Sequence, residues 1–229
     1  MKYQAQSRIL FGIVPIFFAY AGLAGVGAVG FGALMSSLVF GAIILYKKNW
    51  NNLRLALSNK LLLKVSVLFA LLNSATATAN VIIPLPTYVA LMQVAPLVSL
   101  AVAPLFGEKP RWRDWLAFPV GDVGVLLILQ ESFGQLSPLK GLLIAAIIVM
   151  LVVSIHNFAI IGRAQEAPSL ETVFVLMLAG VPLVLVQPEV FLLSPLKLLC
   201  IAGAGLFLSI GNVLIYKSFI DVPAFRALL

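Results

Sequence analysis

Polar side chains are scarce in this chain, so those that recur at helical spacing mark where chemistry would be done. Asn73, Thr76 and Asn80 stand at i, i+3 and i+7, which places them on one face of a helix. Ser209, Asn212 and Tyr216 repeat that spacing at a constant shift of 136 positions. Amides and hydroxyls arranged this way hold neutral polar ligands in a solvated cavity, or join helices by hydrogen bonds worth about 0.6–2 kcal/mol each. Their paired placement argues for the cavity.

His156 and Asn157 stand side by side midway along an apolar segment. An imidazole at bilayer depth is costly when charged and rarely faces lipid. It either touches a substrate, carries a coupling proton from an unperturbed pKa of about 6.5, or packs as a neutral, hydrogen-bonded ring. Asp122, between Gly121 and Gly124, is the second proton-site candidate; the alternative is a protonated or paired carboxyl where two helices approach closely. Pro96 frees a backbone carbonyl one turn from Gln93, which faces the cavity or packs. Tyr20 and Tyr88 are lining residues or interfacial anchors, and an anchor is the expectation for Tyr88. Glu108, beside Lys109, Arg111 and Arg113, is expected in a solvated ion-pair network or at a helix terminus; Trp112 and Trp115 are expected at the membrane interface. No phosphate-binding glycine loop, Ser/His/Asp set or His/Cys ligand spacing occurs. Neither an enzyme, a cofactor nor a metal site is expected, and the single Cys200 permits no internal disulfide.

The elements that must position these groups follow from composition. Hydrophobic residues make up 62% and charged residues 10%, where soluble domains carry about 25% charged, and the mean hydropathy is +1.12. Eight apolar stretches of spanning length are predicted at about 9–27, 30–46, 61–80, 87–106, 114–130, 139–161, 170–187 and 196–217. The first is expected to be retained, since no small-residue cleavage pattern follows it. Thirteen of the fifteen Lys and Arg residues fall in alternate gaps; only Lys140 and Lys197 fall in the others. Basic residues stay on the cytoplasmic side, so both termini are placed there. The net charge of +7 is then orientation, and a nucleic-acid partner is not expected. A tight turn is predicted at 25–30, where glycines cluster, and helix breaks at Pro84-Leu85-Pro86, Ser137-Pro138 and Ser194-Pro195 on the outer face. Gly107-Glu108-Lys109-Pro110 turns the chain sharply on the basic face.

After each polar stripe comes a similar string: Pro86-Thr87-Tyr88-Val89-Ala90-Leu91 and Pro223-Ala224-Phe225-Arg226-Ala227-Leu228, shifted by 137. The third span runs outward and the eighth inward, so the two copies have opposite topology, the arrangement of carriers built around a midplane site. In the second copy the chain ends one turn into its fourth helix, so two helices of a ten-helix protein are expected to be missing.

The stretch Leu85-Pro86-Thr87-Tyr88-Val89-Ala90-Leu91-Met92-Gln93-Val94-Ala95-Pro96-Leu97, then Leu105-Phe106-Gly107-Glu108-Lys109-Pro110, then Gly121-Asp122-Val123-Gly124-Val125 resembles an EamA-type repeat of the drug/metabolite transporter superfamily. The resemblance covers 8–130 as one five-helix repeat and 139–229 as an incomplete second one. It implies an all-α polytopic membrane protein, ten-helical in the full family, with both ends cytoplasmic. It also implies a cavity lined by the first, third, fourth, sixth, eighth and ninth helices, and movement of small metabolites, commonly by export. The ninth and tenth helices are absent, and Asp122 stands where the family has an apolar residue. The substrate site expected from these residues is Asn73, Thr76, Gln93, His156, Asn157, Asn212 and Tyr216, with His156 and Asp122 as proton-coupling candidates. The partners are a small molecule and the bilayer of the plasma or inner membrane. A second copy of the chain, forming a homodimer, would be one way to complete the cavity. The rival reading is a non-transporting membrane scaffold or an inactive fragment.

Overall fold

The computed structural model describes residues 25–92, 94–116, 137–164, 168–219 and 223–228, with Tyr3, Gln6, Ile9, Leu10, Val14, Phe17 and Val123. In chain order the helices are α1 (Val26–Tyr46), α2 (Trp50–Ser58), α3 (Lys60–Ile82), α4 (Leu85–Met92), α5 (Val94–Val102), α6 (Pro138–Ala164), α7 (Ser169–Leu178), α8 (Pro195–Ser218) and α9 (Ala224–Leu228). Short 3-10 segments cover Ala103–Phe106, Trp112–Leu116, Val181–Val186 and Pro188–Leu192, and no strand occurs among the described residues. Among the described residues, five segments are long and apolar enough to cross a membrane: Val26–Tyr46, Lys60–Ala79, Pro138–Ala164, Ser169–Val186 and Pro195–Ser218. This is an all-α, multi-pass membrane protein.

Local chemistry explains where the helices begin and end. The Asn59 side chain accepts the Leu62 N–H at 2.9 Å and opens α3. Pro138 and Pro195 begin α6 and α8, where a missing N–H is harmless. The predicted span 170–187 is α-helical only to Leu178: Pro182 cannot donate to the Leu178 carbonyl, and the chain tightens into a 3-10 segment. Of the span predicted at 114–130, residues 114–116 belong to a 3-10 turn and Val123 is helical; the rest lies outside the described residues, as does most of 9–27.

The glycine cluster at 25–30 is not a turn beyond Gly25, since Val26–Gly30 is the first part of α1. Its glycines serve close packing instead. A methyl group at Gly30 would collide with the Val184 backbone, and Gly32 faces Gly205 of α8. Small residues at such crossings let helices approach without a hydrophobic driving force. Thus α1 packs along α7, the Val181–Val186 segment and α8, while α3 packs along α6 and α7, and α5 meets α6 and α9. Phe17 stacks on Phe207 of α8 with ring centroids 5.5 Å apart. One apolar core gathers Phe40, Leu62, Phe158, Leu176 and Phe219; a second gathers Leu72, Tyr88, Ile147 and Val152. Tyr88 is 8% exposed there, and its hydroxyl is hydrogen-bonded with Thr76. Burial against α3 and α6 therefore corrects the interfacial-anchor expectation for Tyr88.

Candidate functional site

At the basic end of the bundle the chain buries a carboxylate. Gly107 takes a left-handed conformation (φ 74°) after the Ala103–Phe106 segment and turns Glu108 inward, where it is 5% exposed. Its Oε1 accepts from Arg163 Nη1 and from the Ala224 N–H, both at 2.8 Å, and Oε2 lies 3.5 Å from the Phe225 nitrogen. Glu108 is therefore no member of a solvated network with Lys109, Arg111 and Arg113. It sits at a helix terminus, that of α9, and pairs with a cation 55 positions away on α6. A buried carboxylate is tolerated because each donor brings positive charge or a free N–H.

His156, fully buried on α6, completes this node. Its Nδ1 lies 3.7 Å from Glu108 Oε2, and its Nε2 lies 2.9 Å from Ser99 Oγ and 3.3 Å from the Ser99 carbonyl oxygen. Phe106 stacks on the ring at 4.4 Å and 13°. A neutral ring accepts the Ser99 O–H on Nε2, while its Nδ1, nearest the carboxylate, is buried without a hydrogen-bond partner.

A second tie lies alongside. Arg226 of α9 donates to Asp114 from Nη2 at 2.9 and 3.1 Å and from Nε at 3.2 Å, and Asp114 Oδ2 also accepts the Arg111 N–H at 2.7 Å. Asp114 lies in the Trp112–Leu116 turn, outside the spanning helices. Partial burial pushes its carboxyl up, but the Arg226 and Arg111 hydrogen bonds and charges outweigh this and hold it below its ordinary value.

Deeper in the bundle is a cavity of about 30 Å³ between α3, α6, α7 and α8, room for about one water molecule. Phe69, Leu72, Phe158 and Leu176 line it with Ser154 and Asn212. Ser154 Oγ and Asn212 Nδ2 are buried with no hydrogen-bond partner. Ser209, one turn from Asn212, is fully buried with its hydroxyl also unpartnered. Two buried polar groups without partners on residues of one cavity wall are unusual in a native interior, although the surface of that cavity is itself almost wholly apolar.

The other sequence-derived candidates do not converge there. Asn73 Nδ2 donates to the Phe69 carbonyl at 2.7 Å and Asn157 Nδ2 to the Val153 carbonyl at 2.8 Å, each within its own helix. Tyr216 O–H reaches the Ile161 carbonyl at 3.4 Å, and its ring packs on Phe158 at 5.0 Å. Gln93, Asp122, Tyr20 and the Asn80 side chain lie outside the described residues. No protein-family model, curated protein or solved structure matches the chain. Ser99, Ser154 and Arg163 went unrecognised in the sequence. Ser154 stands three residues before Asn157 and two before His156, a signal available but masked by the more polar pair.

Proposed function

We propose that the chain is a secondary transporter of the EamA-like type, moving a small polar or amphipathic metabolite by alternating access between two inverted repeats. The observation that carries this is the pairing of helices under the 136-residue shift. Exchanging the two halves turns the α3–α6 pair into α8 with the first predicted span, and α3–α7 into α8–α1. The α1–α7 pair maps onto itself. A pseudo-twofold bundle has this pattern, and a carrier rocks about such an axis. In this reading the basic end is cytoplasmic, both termini lie there, and the membrane is the plasma or inner membrane.

Glu108, with Arg163 and α9, would close the cytoplasmic side by joining the first half to the second. Ser154 and Asn212 would meet the substrate's neutral hydrogen-bonding group, and His156, beside Glu108, would carry the coupling proton. With no cluster of intramembrane Lys or Arg in the spans, a strongly anionic substrate is disfavoured, and export is the expected direction.

The test begins with metabolite pools in cells with and without the protein, followed by flux of the compound that differs in proteoliposomes under a pH gradient. His156→Gln and Asp122→Asn should each be assayed. Unchanged gradient dependence in both removes them as proton carriers, and no flux of any differing metabolite removes the transporter reading.

A further inference from the structure

Between α1 and α3 the chain makes a basic, amphipathic platform that the transport reading does not use. Lys48 adopts a left-handed conformation (φ 53°) and folds the chain from the end of α1 directly into α2. Asn49 Nδ2 donates to Glu171 Oε1 of α7 at 3.0 Å, and Glu171 is 1% exposed. The turn is therefore pinned to the bundle. On α2, Leu53 and Ala56 pack inward on the core. Trp50, Arg54 and Leu57, at i, i+4 and i+7, share an outward stripe, with Trp50 55% and Leu57 43% exposed. Lys47, Lys48, Arg54, Lys60 and Lys64 are all exposed, and 47–64 contains no acidic residue. None of the five takes part in an ion pair among the described residues, and the one acid touching the turn, Glu171, is held inside.

We propose that α2 and its flanking basic residues form a docking surface for anionic phospholipid headgroups. Orientation alone asks only that basic residues be on this side. Here they surround a short helix that presents Trp and Leu beside Arg, the arrangement that lies at the headgroup level with its apolar edge in the acyl boundary. Charge complementarity selects the occupant: five exposed cations, in no ion pair among the described residues, beside an outward apolar stripe match a phosphodiester attached to a membrane. The proposal stands whether or not the chain transports anything.

Full-length protein in detergent, titrated with phosphatidylglycerol or phosphatidylcholine of equal acyl chains and read by native mass spectrometry, tests it. The expected retention of phosphatidylglycerol is about fivefold or more over phosphatidylcholine, from the strength of one basic residue at an anionic surface. That preference should vanish in the Lys47→Gln/Lys48→Gln/Arg54→Gln/Lys60→Gln variant. It should persist when the same three lysines are changed to Arg, and in Lys109→Gln/Arg111→Gln/Arg113→Gln. A readout that leaves the charges intact uses Trp112→Phe/Trp115→Phe, which keeps Trp50 as the sole indole. Brominated phosphatidylglycerol should quench it more than brominated phosphatidylcholine, and less so at high salt. Equal quenching by the two lipids, equal loss of preference in the 109–113 variant, or displacement by inorganic phosphate alone would each overturn the proposal.

Discussion

Replacing Glu108 by Gln should open the basic end of the bundle. The carboxylate holds two donors at 2.8 Å, Arg163 Nη1 and the Ala224 N–H, and hydrogen bonds to a charged group contribute about 1.5–3 kcal/mol each, against about 1 kcal/mol for neutral ones. A Gln side chain keeps one neutral acceptor and turns an amide N–H₂ toward the other donors. Arg163 is 35% exposed, and solvent screening reduces its share. The net loss is then about 2–3 kcal/mol of closed-state stability, about a 30- to 150-fold rise in the open population. The reporter is Ser154→Cys, at the buried cavity, in a Cys200→Ser background that removes the only native thiol. A membrane-impermeant maleimide added on the basic side should alkylate it faster by about that factor, with Glu108→Asp intermediate. If the labelling rate is unchanged while the protein's thermal midpoint falls, Glu108 stabilises the fold without closing it, and the gate argument is wrong.

Asp114 supplies a pH signature. Its carboxyl is held below its ordinary value, so its contribution is complete above the unfolded-state pKa of about 3.9 and disappears as pH falls through the lower folded value. The thermal midpoint in detergent should fall more steeply below pH 4 for wild type than for Asp114→Asn, and the two curves should converge in acid. Asn212→Leu should raise thermal stability, because an apolar side chain of similar size removes a buried group with no partner; any flux the protein supports should fall. Gly30→Ala should cost about 1–3 kcal/mol by overpacking against the Val184 backbone. Gly141→Ala, with open space around it on α6, should stabilise by about 0.5–1 kcal/mol, as helix propensity predicts. Chemical denaturation of the purified protein separates these last two.

Reading the chain residue by residue located the second, third, sixth and eighth spans to within a few positions, because a run of about 20 apolar residues has few other uses. It did not separate a turn-forming glycine stretch from a packed one. Gly27 and Gly30 look the same in either role until a neighbour stands where a Cβ would be. Polar stripes were equally ambiguous. The i−4 carbonyl is always within reach of an Asn in a helix, and at Asn73 and Asn157 that local bond took the side chain. Glu108 looked like a surface residue because its sequence neighbours are cations, and the partner it uses lies on another helix.

What the sequence determined by itself is therefore what is additive along a segment: helicity, length and polarity. What only the tertiary structure decided is which polar atoms meet. Glu108, His156, Ser99 and Arg163 come from the Gly107 turn and two helices, joined by packing rather than by spacing. In an apolar interior a polar group's role depends on the nearest partner that can satisfy it, and that partner is set by how the helices cross.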